Sequence, residues 1–403
     1  MANVPDIRFK GFTDAWEQRK IGEIANFNPR SVLPDEFVYV DLESVVGTSL
    51  ISSRIERKET APLRAQRLAQ KGDIFFQMVR PYQMNNYLYD LLHENYVFST
   101  GYAQLRPKIH SHFLMCVLQD EKFVANVIDR CTGTSYPAIK STDLAEIEVY
   151  ITSDKEEQTT IGNFFRTLDT TITTYKRKLD GLRKLKKAYL QQMFPKTGES
   201  APKIRFAGFT GEWEQRKLGK MGEFKNGMNF EKNALGHGYP FVNLLDVFGT
   251  NVVKSENLGL ALSNEKQRND YSLCKSDVLF IRSSVKPEGV GEAAVVLDDI
   301  PNATYSGFMI RFRPNLDMDV KFERYIFSTL NIRSQIMKGA TSSANTNINQ
   351  TALSSILVSF PSKSEQTAIG NFFHILDKQI ENLATKLEQI KKLKSAYLRK
   401  MFV

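Results

Sequence analysis

The 403-residue chain is poor in cysteine and has no long apolar run. Its three cysteines, Cys116, Cys131 and Cys274, are odd in number and form no CxxC spacing, which leaves neither a disulfide framework nor a zinc signature. Nowhere do about 18 apolar residues follow one another, so no segment is expected to cross a bilayer. The opening MANVPDIRFKGF lacks a basic stretch followed by an apolar one, so no secretory leader is read and a cytoplasmic protein is expected. Motifs of chemistry are missing too. EGVGEAA from Glu288 has the wrong spacing for a dinucleotide or adenosylmethionine loop, and there is no P-loop lysine. The NPR at Asn28 lacks the aromatic-ended tetrapeptide that grips a flipped adenine. His110 and His112 stand two apart without an acidic or cysteine cluster, which argues against a metal. The chain reads as a binder with no catalytic, cofactor or metal site of its own.

What is present is an ordinary globular composition, 42% hydrophobic and 25% charged, with a formal charge of +9. That length suits two domains, each with its own core. A basic protein is drawn to polyanions, of which nucleic acid is the commonest.

The chain contains a duplication. PDIRFKGFTDAWEQRKIG from Pro5 and PKIRFAGFTGEWEQRKLG from Pro202 agree at 13 of 18 positions. A second block, EQTTIGNFFRTLDTTITTYKRKLDGLRKLKKAYLQQMF from Glu157, returns from Glu365 with 21 of 38 positions retained. Each half therefore has a similar head, a dissimilar middle and a similar tail. Two units of this size are a domain duplication; solenoid repeats run ~20–50 residues.

The tails carry one apolar stripe. Steps of four and three connect Ile161, Phe165, Leu168, Ile172, Tyr175, Leu179 and Leu182, then resume at Tyr189 and Met193 after a gap at Lys186. The second tail repeats the pattern with Phe373, Leu376, Ile380, Leu387 and Ile390, its gap at Lys394. That period is the seam of a coiled coil, and each tail predicts a helix of about 57 Å. Pro195 should stop the first one. So narrow a stripe must be covered. Chain order allows the second helix to cover the first only by running antiparallel to it, which gives a dumbbell of two domains held apart by paired helices. Packing of each tail on its own domain is the alternative.

The middles, residues 23 to 150 and 220 to 355, read as mixed α and β. FVYVDL from Phe37, DIFFQMV from Asp73, DVLFIR from Asp277 and EAAVVL from Glu292 have strand composition. FLMCVLQDEKFVANVI from Phe113 and FERYIFSTLNIRSQIM from Phe322 have helical period. GDIFF against SDVLF, and STGYAQLRP against YSGFMIRFRP, are echoes of one fold used twice. The halves differ most where polar side chains suited to DNA gather. In the first half these are Arg80, Tyr82, Gln83, Asn85 and Asn86, followed by Thr134, Ser135, Tyr136 and Lys140. The comparable places in the second half hold Arg282, Ser283, Ser284 and Lys286, then Ser342, Ser343, Asn345 and Asn347. Arginine can pair two atoms of guanine and an amide two atoms of adenine, while lysine and serine hold phosphates.

IRFxGFTxxWEQRKxG heading each half, EQTxIGNFF opening each tail and LKxAYLxxMF closing it resemble the specificity subunits of type I restriction-modification enzymes, over essentially the whole chain. The resemblance implies an α+β fold in which two similar target recognition domains are separated by two long antiparallel coiled-coil helices with pseudo-two-fold symmetry. Its expected boundaries are 1–153 for the first recognition domain, 154–195 for the first spacer helix, 196–361 for the second domain and 362–403 for the second helix. It implies double-stranded DNA as ligand, read as two unlike half-sites, with the helices setting the gap. It also implies two modification (methyltransferase) subunits and restriction (endonuclease/translocase) subunits as partners, which would carry adenosylmethionine, ATP and Mg. The basic runs RKLKK from Arg183 and KKLK from Lys391 are then docking candidates. A coiled-coil adaptor that binds proteins, and a self-contained methyltransferase, are the rival readings.

Overall fold

The computed structural model describes residues 3–230, 232–342 and 345–403, and the chain divides into two compact units. The first unit is Met1–Arg177 with Thr385–Val403, and the second is Lys178–Ala384. Each therefore holds a head, a middle, the opening of one long helix and the closing turns of the other.

In the first unit Ala25–Phe27, Tyr102–Pro107, Ile74–Gln77 and Tyr87–Leu88 form one antiparallel sheet in that order. Arg54–Arg57, Glu36–Val40, Tyr96–Ser99 and Ala65–Leu68 form another, in which the middle pair runs parallel. The second unit centres on a five-stranded sheet ordered Gly222–Asn226, Met309–Pro314, Val278–Ile281, Ala293–Val296 and Val252–Val253. All four expected strand runs are strands. Ile74–Gln77 and Val278–Ile281 are buried along their whole length, which is why both are apolar on both faces apart from Gln77. The echoes between the middles have a physical cause: buried Asp73 takes a two-pronged hydrogen bond from Arg106, and buried Asp277 takes the same from Arg313.

The two runs expected as single helices are each broken in two. Ser111–Val117 is followed by Glu121–Asp129, and Val320–Ile326 by Leu330–Gly339. The cause is local. Asp120 accepts from the backbone of Lys122 and Phe123, and Thr329 from that of Ile332, so each starts a new helix where apolar period alone would continue the old one.

The long helices span Lys155–Gln192 and Lys363–Met401. In the first unit Ile161 and Phe165 sit in the hydrophobic core with Trp16 and Phe113, while Phe164 meets Tyr397 edge-on at 5.1 Å and Asp169 meets Lys394 at 2.5 Å. In the second unit Tyr189 meets Phe372 at 5.1 Å and Lys186 meets Asp377 at 2.5 Å. Numbers rise on one helix as they fall on the other, so the pairing is antiparallel within each unit, and each helix also rests on its own domain at its start. The lysines that interrupt the apolar stripe are not gaps. They are half-buried partners of aspartates on the facing helix.

Several repeated motif residues make the same contact in both units. Arg8 grips Glu157 with two hydrogen bonds, and Arg205 grips Glu365 likewise. Gln158 and Gln366 accept from the backbone of His110 and Asp319, the residues that start the neighbouring short helices. A side chain on Gly162 or Gly370 would collide with those same helix starts. Trp16 packs on Phe402 and Trp213 on Phe194, so each head tryptophan closes over the tail motif that ends the other helix. Repeated sequence is retained where repeated contacts are made.

Leu179 and Leu387 are each 5% exposed on the seam. Replacing both with aspartate is expected to cost more than about 4 kcal/mol per site, through charge buried among apolar groups. Far-ultraviolet circular dichroism should show the loss of helix; unchanged helicity would argue that the seam is not what holds these segments.

Candidate nucleic-acid interface

In each unit the two polar loops selected from sequence are brought together. In the first unit the strand Ile74–Gln77 leads to a bridge between Val79 and Ala138, and the Arg80 N–H donates to the Pro137 carbonyl at 2.7 Å. Arg80 and Met84 both lie at φ +54°, flanking the tight turn Pro81–Gln83. These left-handed residues turn the loop sharply and place Arg80 over the Tyr136 ring, 4.4 Å from its centre. Tyr82 and Tyr136 are 51% and 63% exposed. Thr134, Ser135 and Lys140 are exposed on the second loop. Asn86 is not on the surface. It is 1% exposed and accepts from the Gln77 backbone at 2.9 Å, shaping the loop from within.

In the second unit Ser283 and Ser284 pair as a short strand with Asn347 and Thr346, which pair in turn with Thr341 and Ser342. Arg282 and Lys286 are exposed beside this hairpin, as is Asn345 at its tip. Ser284 is 9% exposed and turns toward Gly289, so its hydroxyl belongs to the loop interior. Asn347 donates to the Asn345 carbonyl at 2.9 Å. Ser343 lies outside the described residues.

Three features escaped sequence reading. Gln77 is 3% exposed at the base of a cleft of about 400 Å³ that Leu42, Val45, Arg80 and Tyr136 also line. It sits inside an apolar strand run and carries no local signal. Val285 and Phe308 are 82% and 59% exposed beside Arg282, whose N–H donates to the Phe308 carbonyl. Arg333 donates to the Glu288 carbonyl at 2.6 Å and holds the Lys286 loop from below; desolvation lowers its pKa.

Other candidate chemistry has structural explanations. His110 accepts from the Phe113 backbone as a helix cap, and burial lowers its pKa. Cys116 is buried, and that burial pushes its thiol far above the usual range. Among the described residues no group of three or more His, Cys, Asp or Glu could hold a metal, and no helix is long and apolar enough to cross a membrane.

The chain is a duplicated frame that presents two unlike polar loop pairs, one in each unit. The family described as "Type I restriction modification DNA specificity domain" matches twice, over residues 13–184 and 210–392, and the chain belongs to that family. A curated protein of Mycoplasma genitalium named as a type I specificity subunit is 33% identical over 88 residues, 22% of this chain and 22% of that protein. That match spans under a quarter of the relative's length. The crystal structure of a type I restriction-modification system S subunit from M. genitalium superposes with a TM-score of 0.65 at 18% identity, covering 99% of each chain. A chain from a structural study of complex assembly and conformational transition of the type I system gives a TM-score of 0.55 at 19% identity, covering 96% of this chain and 97% of its own. At such identities the likeness is one of fold.

Proposed function

We propose that this chain is the DNA-reading specificity subunit of a type I restriction-modification complex, and that it performs no catalysis itself. The observation that carries the reading is the contrast within one frame. The head, Glu-Gln and tail motifs hold the two units in matching internal contacts, while the loop pairs around Arg80 and Arg282 differ in nearly every polar side chain. Two unlike readers imply two unlike half-sites, so the target is bipartite and asymmetric. Half-sites on one face of a duplex lie about one helical turn, ~34–36 Å, or a multiple of it apart, an interval that long helices can set. Arg80, Lys140, Arg282 and Lys286 supply phosphate or guanine contacts, and exposed Tyr82, Tyr136, Val285 and Phe308 supply apolar contacts to bases. Adenine methylation requires a flipped base and an adenosylmethionine site. Both belong on modification subunits, which dock on exposed helix faces such as Arg183–Lys184 and Lys391–Lys392; restriction subunits join them.

The test is single-molecule sequencing of adenine methylation in a methylation-free host, with this gene and the modification gene of its own system expressed singly and together. A split, asymmetric motif methylated only in the joint expression is expected. A soluble complex with an active methyltransferase and no new motif would sink the reading in favour of an adaptor.

A further inference from the structure

We infer that the first unit reads guanine, because the amide and guanidinium groups of its Arg80 loop are wired to turn their hydrogen-bond donors outward; this rests on the DNA-reading role proposed above. The wiring starts at a backbone carbonyl. Val79 C=O can only accept, and Gln77 Nε2 donates to it at 2.7 Å, which settles which end of that amide is nitrogen. The second hydrogen of the same nitrogen goes to Gln83 Oε1 at 2.9 Å. Gln83 therefore holds its oxygen inward and its Nε2 outward. Asn85 is oriented by the opposite kind of anchor: the Gly47 N–H can only donate, and it gives to Asn85 Oδ1 at 2.8 Å. Asn85 Nδ2 is then the outward end: it spends one hydrogen on a long 3.5 Å bond to Gln83 Oε1 and keeps the other to offer.

Burial locks the arrangement. Gln77 is 3% exposed, and turning its amide over would set its oxygen against the carbonyl oxygen of Val79 while depriving Gln83 of its donor. Gln77 is thus a positioning residue. What it positions is a surface of Gln83 Nε2, Asn85 Nδ2 and the Arg80 guanidinium stacked on Tyr136, all of them donors. In the major groove guanine offers two adjacent acceptors, adenine an acceptor beside a donor, cytosine a donor and thymine one acceptor beside a methyl group. An amide free to turn would pair with adenine, as the sequence suggests. This one has its oxygen committed and matches guanine.

The test uses the chain with the modification subunit of its own system, motifs again being read by sequencing. Gln83→Ala, an exposed substitution, should widen the motif at one position of one half-site, and that position should be a G·C pair in the native motif. Gln77→Met should free Gln83 to turn and admit adenine there, reducing a preference of about 10- to 100-fold for guanine to near parity. Gln83→Lys, a donor without an acceptor, should keep guanine. The other half-site, read in the same experiment, should stay unchanged and so reports folding. Relaxation at an A·T pair, or a motif that Gln83→Ala leaves intact, would overturn the inference while leaving the specificity-subunit reading standing. Absence of any bipartite motif from the native pair would overturn both.

Discussion

Replacing Glu323 with leucine is expected to stabilise the second unit by roughly 3–5 kcal/mol at pH 8, and by little at pH 4. Glu323 is 1% exposed on the helix Val320–Ile326, with one carboxylate oxygen unpartnered and a single hydrogen bond from Ser276. Desolvation pushes its pKa up to about 8, with nearby Lys363 opposing and Asp319 and Asp277 adding to the shift. The sign follows from linkage. Below pH ~4.5 the carboxyl is protonated in both the folded and unfolded chain and carries no penalty. As pH rises toward 8 the unfolded chain releases the proton while the folded one retains it, so stability falls; above that the penalty is complete. The corresponding position in the first unit is Leu114, fully buried on Ser111–Val117, so the fold accepts leucine there. Denaturant unfolding of both proteins across this range should show the slope in the native chain and its absence in Glu323→Leu. Parallel pH profiles would mean that Glu323 is ionised and solvated in the folded protein.

The second large effect is expected from Arg205→Ala. Arg205 holds Glu365 through two hydrogen bonds, at 2.6 and 2.7 Å, and donates further to the carbonyls of Gly211 and Thr210. Glu365 is 1% exposed, so removing the guanidinium leaves a buried carboxylate without its partner, at a cost of about 3–5 kcal/mol. Arg205→Lys should recover only part of this, because an ammonium cannot form the two-pronged contact. The double substitution Arg205→Leu with Glu365→Leu should be milder than the single alanine, since no charge is then stranded. Hydrogen exchange resolved by segment provides the readout. Amides of the second unit should lose protection while those of the first, held by Arg8 and Glu157, keep theirs. A loss below about 1 kcal/mol would show that the pair is solvated and that the head is held by apolar contacts alone.

Much of the architecture was legible because it is periodic or repeated. The apolar stripe of the tails depends only on helical period, and the strand runs only on composition, so both survive without knowledge of the fold. The broken helices were misread for the same reason: period continues through Asp120 and Thr329, and only their caps interrupt it. The lysines at 186 and 394 looked like faults in a seam because a one-dimensional stripe does not show the aspartates at 377 and 169 that face them.

The structure brings the selected loops together in each unit, but it does not turn every residue chosen in them outward. Asn86 and Ser284 share the chemistry of their neighbours, but the turns at Arg80 and Gly289 place them inward. Gln77 is the reverse case, a polar residue hidden in an apolar strand.

The sequence by itself determined the duplication, the motifs common to the two halves and the positions at which the halves diverge, since each is a local pattern repeated along the chain. Only tertiary structure decided which repeat contacts which, and which atoms of the Arg80 loop face outward. Both depend on partners far apart in the chain: Arg8 finds Glu157, Trp16 finds Phe402, and Asn85 is turned by Gly47. A hydrogen bond takes its direction from its partner, and the partner is supplied by the fold.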